Sequence, residues 1–255
     1  MTVDPGDAME RRERRRTTRR RVDREERKVT GEVFDQSTYK TLYDLSNRQI
    51  ITAMGGVVST GKEANIFHAL GGNGRELAVK IYRIATADFN AMQEYIYGDP
   101  RFGHVGGTRR KLVYAWTRKE YSNLARARDA GVRVPEPLAF QNNVLVMEFI
   151  GRDEVSAPRL KDVGAEQPAG LMKKLVMMAA TLYQKAGLVH ADLSEYNVLM
   201  WEDEPVLIDM GQSVLLDHPR AQAFLRRDIA NLSRYFSKLG VQSGTVELLD
   251  AVRGA

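Results

Sequence analysis

Cysteine is absent from the 255 residues. That excludes disulfides, thiolate zinc sites and a cysteine nucleophile. Histidine is scarce: His68, His104, His190 and His218 lie far apart, without the spacing of a metal-ligand set. No apolar run reaches the roughly 18 residues of a membrane span. The charged N-terminus has no apolar stretch behind it and does not read as a secretory signal. These absences predict a soluble, cytoplasmic protein with no membrane partner.

What the chain has in excess is positive charge, a formal +5, unevenly placed. Eight arginines fall between Arg11 and Arg21. Arginine forks suit phosphate and release counterions on binding it, so RNA or DNA is the expected partner of this segment. Residues 1–30 hold few apolar groups and read as a disordered basic tail.

Beyond the tail, Tyr39, Leu42, Tyr43, Leu45 and Ile50 predict a short amphipathic helix. Residues 51–70 read as strand, glycine-rich loop and strand, and Glu76–Tyr82 as a third strand after a glycine turn. Residues 84–111, with Gly98, Pro100, Gly103, Gly106 and Gly107 and no sustained period, read as a flexible insertion, with Thr108 as an autophosphorylation site. A helix is expected from near Trp116 to Gly131, a proline-bearing connector over 132–138 and a strand over 144–150. Leu171, Leu175, Met178, Leu182 and Ala186 mark a second-half helix. A strand hairpin surrounds Glu202–Glu204, and Leu225 to Leu239 mark the last helix. Strands early and helices late predict an α+β fold of two lobes, 31–150 and 151–255.

Three signals carry chemistry. Gly56 to Lys62 fits the first seven positions of a P-loop, but Glu63 stands where a Ser or Thr should bind Mg²⁺, and a strand follows instead of a helix. The better reading is a hairpin whose backbone N–H groups cover phosphates. Lys80, on the third strand, can place a cation on the α- and β-phosphates of ATP if an acidic partner holds it, and Glu120 is the candidate. Most specific is His190-x-Asp192, with Asn197 five residues after the aspartate and Asp209-x-Gly211 beyond the hairpin. This spacing supplies a carboxylate to orient an acceptor hydroxyl, and an amide and a second carboxylate for Mg²⁺.

Ser59-Thr60-Gly61-Lys62-Glu63-Ala64, the run from Leu188 to Asn197, and Ile208-Asp209-Met210-Gly211-Gln212 together resemble the RIO family of atypical serine/threonine protein kinases, over about residues 33–240. The first branch fits better than the second, which carries an N-terminal winged helix, because residues 1–50 are largely polar. The resemblance implies a protein-kinase-like fold with a reduced C-terminal lobe. It implies ATP with Mg²⁺, or Mn²⁺ in its place, and a role in maturing the small ribosomal subunit precursor, with the arginine tail near its RNA. Ser59, Thr60, Gly61, Lys62 and Glu63 would form the phosphate loop. Lys80 would contact phosphates and pair with Glu120. Glu148 and Ile150 would present backbone groups to adenine beside Met147. Asp192 would be the catalytic aspartate, Asn197 and Asp209 the metal ligands, and Asp228 a brace for the catalytic loop. Asp209 could also accept the phosphate in an ATPase cycle.

Two departures from ordinary protein kinases stand out. Ala191 replaces the arginine that reads a phosphorylated activation loop, and Ser194 replaces a lysine that supports the transferred phosphate. The short stretch after Asp209 leaves no room for a peptide-docking platform, so the expected substrate is the protein itself or a large particle. The rivals are an aminoglycoside-type small-molecule phosphotransferase, which would need acidic helices after Asp209, and a non-catalytic RNA-binding scaffold, which would not need Lys80, Asp192, Asn197 and Asp209 together.

Overall fold

The computed structural model describes residues 35–85, 89–102 and 108–254. The basic tail predicted at 1–30 lies outside them. Helix α1 (Gln36–Asn47) is capped by Asp35, whose carboxylate accepts from the Thr38 N–H at 2.8 Å. Strands β1 (Ala53–Thr60), β2 (Ala64–Leu70), β3 (Glu76–Tyr82), β4 (Pro137–Gln141) and β5 (Val144–Glu148) form an antiparallel sheet in the order β1-β2-β3-β5-β4. Gly61 and its neighbours make the turn between β1 and β2, with the Gly61 N–H donating to the Ala64 carbonyl at 2.9 Å. Because a strand follows the glycines, the P-loop alternative is excluded.

Side chains alternate across a strand, and that alternation aims the first functional lysine. On β3, Leu77, Val79 and Ile81 face α1 and pack with Leu45, Phe67 and Val146. Ala78, Lys80 and Tyr82 therefore face the opposite side. There the core runs continuously from Ala78 and Leu145 through helix α3 (Arg109–Asp129) into the second lobe.

That lobe holds the hairpin β6 (Gly151–Arg152) and β7 (Val155–Ser156), α4 (Leu160–Val163), α5 (Pro168–Gln184), β8 (Leu188–Val189), the hairpin β9 (Val198–Trp201) and β10 (Glu204–Leu207), β11 (Val214–Leu215), α6 (Ala221–Lys238) and α7 (Thr245–Arg253). The α+β, two-lobed reading stands, with few elements after Asp209.

Four expectations need correction. Residues 84–111 include helix α2 (Phe89–Ile96), and α3 begins at Arg109, seven residues before Trp116. The i, i+3, i+4 spacing of Met92, Tyr95 and Ile96, all buried, was the missed signal. Tyr95 stacks on Phe224 with ring centroids 5.1 Å apart, so tertiary packing rewards an otherwise short helix. Thr108 is the exposed N-cap of α3, accepting from the Lys111 N–H at 3.3 Å. The proline-bearing connector yields edge strand β4, which starts on Pro137, where a missing N–H costs the ladder nothing. Helix α6 is not the last: α7 packs Leu248, Leu249 and Val252 against α5 and α6.

Candidate active site

The two lobes enclose a cleft of about 660 Å³. Its lining includes Ser59, Thr60, Gly61, Lys62, Glu63, Lys80, Glu120, Met147, Glu148, Ile150, Asn197 and Asp209, twelve of the thirteen residues singled out from the sequence. The thirteenth, Asp192, joins through Asn197, whose Nδ2 donates to the Asp192 Oδ2 at 2.8 Å and to its carbonyl at the same distance.

Lys80 is the link between the lobes. Its Nζ donates to Glu120 Oε1 at 2.8 Å and to Asp209 Oδ1 at 2.9 Å. Burial alone would strip the ammonium of its proton, but Asp209 and Glu120 together outweigh it and hold Lys80 above its ordinary value. Asp209 opens into the cleft, and the Lys80 charge holds its carboxyl below the usual range against the opposing effect of desolvation. Glu120 is fully enclosed, and burial, with Asp209 adding like charge, pushes it up to about 7. The Tyr82 hydroxyl donates to its other oxygen. The resulting order is clear: Lys80 stays charged, Asp209 stays ionised, and Glu120 is the member closest to taking a proton.

The loop 190–197 is held from below. Asp228 on α6 accepts the Ala191 N–H at 2.7 Å and the Leu193 N–H at 2.9 Å, as expected of the brace. Burial pushes its carboxyl up to about 7 despite those two donors. Ala191 has φ 66 and Asp209 φ 62, left-handed values that cost a non-glycine residue about 1–3 kcal/mol and persist only where the surroundings enforce them. Arg227 donates to the Ala191 carbonyl. His190 Nε2 donates to the Ile208 carbonyl at 3.1 Å, and burial lowers its pKa to about 4, so the ring is neutral and structural. Desolvation, with the Asp209 charge behind it, raises Asp192.

Glu148 points away from the cleft. Arg133 grips its carboxylate through two bonds of 2.7 and 2.8 Å, so only its backbone faces inward. The Ile150 carbonyl is taken by the Ala157 N–H at 2.9 Å.

The donor set suits a hard cation that keeps other ligands. Asn197 directs its Nδ2 at Asp192, which leaves the Oδ1 side of the amide for a cation beside Asp209. Among the described residues no cluster of three or more His, Cys, Asp or Glu could hold a metal. An all-protein cage is therefore not what this site offers, and Mg²⁺ bound through one or two side chains plus phosphate oxygens is what it fits. Sequence reasoning missed Arg159, Asp162, Leu199 and Gln212 in the lining, and Lys119, Asn123 and Arg227 around it. Gln212 ends the run that begins at Ile208 but carried no assigned role, and none of the others lies in a spaced motif. They reach the site by packing.

A model of the RIO domain matches residues 65–249. The chain is 46% identical over 232 residues to the RIO-type serine/threonine-protein kinase Rio1 of Haloferax volcanii, covering 91% of this chain and 80% of that one. It is 40% identical over 231 residues to the serine/threonine-protein kinase RIO1 of Homo sapiens, covering 89% of this chain and 41% of that much longer protein. Among solved structures, the Rio2 kinase from Chaetomium thermophilum superposes with a TM-score of 0.66 at 25% identity, covering 83% of this chain and 66% of that one. The lysine-centred cleft, the matched domain and the extent of identity with archaeal and human relatives converge: the chain belongs to the RIO family of serine/threonine-protein kinases.

Proposed function

We propose that this chain is a Rio1-branch enzyme that transfers the γ-phosphate of ATP, with Mg²⁺, to a protein hydroxyl, its own included, or to water. The observation that carries the reading is Lys80, shared by Glu120 and Asp209 at 2.8 and 2.9 Å across the two lobes. The branch is favoured by the 46% identity to an archaeal Rio1.

Bound MgATP supplies an activated phosphoryl group whose charge the metal helps to neutralise. The chain's own residues do the rest. Backbone groups of Glu148 and Ile150 receive adenine beside Met147, and the turn 59–63 covers the phosphates. Lys80 presents a permanent cation to them, steadied by Glu120. Asn197 and Asp209 hold the metal through hard oxygens. Asp192 orients the acceptor hydroxyl and takes its proton, a role helped by its raised pKa. Mn²⁺ can replace Mg²⁺ on the same oxygens.

The biological setting is part of the proposal: a cytoplasmic protein acting on the small ribosomal subunit precursor, with the arginines of residues 1–30 on its RNA. No described helix is long and apolar enough to cross a membrane. Deleting residues 1–28 should lower the salt slope of RNA binding by about 0.7–0.9 per lost phosphate contact and leave basal ATP turnover unchanged. Equal slopes would remove the tail from the RNA interface.

The decisive test is Mg²⁺-dependent ATP turnover by Lys80→Ala and Asp209→Asn. Both act on charge in the transferred group, so kcat should fall by about 100-fold or more while the fold persists. Wild-type turnover by folded Asp209→Asn would end the metal assignment.

A further inference from the structure

A buried polar seam joins α3 to the segment after Asp209. Lys119 and Asn123, one turn apart on α3, are both 0% exposed. Lys119 Nζ donates to the Gly211 carbonyl at 2.8 Å and also to that of Ser213. Asn123 Nδ2 donates to the Met210 carbonyl at 2.8 Å and to that of Ser213 at 2.9 Å. Asn123 Oδ1 accepts from Arg101 Nη1 at 2.8 Å, and Arg101 is itself clamped by Asp99 through Nη2 to Oδ2 at 2.6 Å. Ser213 Oγ extends the seam to the His190 carbonyl at 3.0 Å, in the catalytic loop.

Burying an ammonium in a core helix is costly unless its donors are used. Here the Lys119 nitrogen donates twice, both times to the backbone of one segment, and burial lowers its pKa to about 7. That segment has little pairing of its own, a single bond from the Ser213 N–H to the Met210 carbonyl at 3.2 Å. It follows a residue in a strained conformation, Asp209 at φ 62. Lys119 also directly precedes Glu120, the partner of Lys80. One helix thus carries both the anchor of the cleft lysine and the donors that hold the backbone behind the cleft aspartate.

We propose that Lys119 and Asn123 are positioning residues that fix the 210–213 backbone so that the Asp209 carboxylate stays between Lys80 and the metal. The proposal rests on the reading of Asp209 as a metal ligand. It implies that α3 is locked to the site in the resting protein, so that no separate step is needed to bring Glu120 onto Lys80.

The test uses the full chain with Lys119→Met, which keeps the volume of the side-chain stem, and Asn123→Ala, which leaves Lys119 in place should the first variant lose its fold. Steady-state turnover is measured against ATP and against Mg²⁺, and affinity for a fluorescent ATP analogue is measured without metal. Residues that orient metal ligands typically cost about 10–100-fold when removed. We expect that loss in kcat, together with a several-fold higher Mg²⁺ requirement and metal-free nucleotide affinity within about twofold of wild type. A purely structural role would lower thermal stability without moving the Mg²⁺ midpoint. Folded variants with wild-type kcat and Mg²⁺ midpoint, beside an inactive Asp209→Asn, overturn this proposal alone. An active Asp209→Asn overturns the functional reading and this proposal with it.

Discussion

Strand β1 reaches the cleft with mostly exposed residues, has one neighbour, β2, and pairs with it in a register broken twice. On the far side of the same cleft, Lys119 and Asn123 are fully enclosed and hold their segment through side-chain donors to three carbonyls. The first wall has few buried apolar contacts and an open edge, the attributes of a region that opens at low cost. The second is a satisfied polar network, which rigidifies what it touches. A phosphotransferase needs both. On the proposed reading, nucleotide would enter and leave beneath the hairpin, while the carboxylates that meet it are held still.

The comparison can be broken from its rigid side. Asp228→Ala leaves the buried N–H groups of Ala191 and Leu193 without acceptors, and at about 1–3 kcal/mol for each orphan the loss should be about 2–6 kcal/mol. Denaturant unfolding measures it, and a loss below about 1 kcal/mol would mean that water replaces the carboxylate as acceptor. A smaller break comes from Gly211→Ala. The new methyl would lie 2.8 Å from the Trp116 indole nitrogen, in a buried ring that cannot swing aside. Overpacking of this kind costs about 1–3 kcal/mol, and the displaced Asp209 should lower kcat by about tenfold or more. At the hairpin turn, a methyl on Gly61 meets the Ala64 carbonyl at 3.0 Å, but that turn is exposed and has room to give. Gly61→Ala should therefore affect KM for ATP more than kcat. Equal effects of the two alanines on kcat would erase the distinction between the walls.

A pH effect sharpens the picture. His218 Nε2 donates to the Tyr97 carbonyl at 3.0 Å, and its Nδ1 accepts the Arg220 N–H at 3.2 Å. Protonation would place two donors face to face. Desolvation lowers the pKa of this ring, with Lys119 adding repulsion and Asp99 only partly offsetting it. A depressed folded pKa means stability that is complete above the unfolded value of about 6.5 and is lost as pH falls toward the folded one. Wild type should lose stability as pH falls below about 6.5 more steeply than His218→Gln, by at most about 1.4 kcal/mol per pH unit. Parallel stability curves would show that protonation of His218 is not coupled to folding. The smallest effect belongs to the hairpin side chains. Thr60→Ala should raise KM for ATP by about threefold with unchanged melting temperature, the scale of one hydrogen bond.

Much of this was legible without coordinates. Strand β3 was readable to the residue, because a short apolar run interrupted only by Lys80 follows a glycine turn. The His190 to Asn197 loop and Asp209 were readable because their chemistry demands residue types at fixed short spacings. Helices α2 and α7 were hard to read because each is short and bordered by glycines, so neither periodicity nor propensity commits it. They exist because Tyr95 finds Phe224, and Leu248, Leu249 and Val252 find α5 and α6, contacts that lie far along the chain.

The candidate cleft residues, then, were written in local motifs: a lysine on an apolar strand, an aspartate and an asparagine five residues apart, and a second aspartate after a hairpin. The seam that holds them was not. Lys119 looks like any helix lysine bound for water, and Asn123 like a solvated amide, until folding carries the 210–213 carbonyls, some ninety residues away, onto the same face of α3. Spacing along the chain reports which atoms can react. Which polar side chains are removed from water, and therefore obliged to find partners, depends on contacts between distant segments that no local pattern encodes.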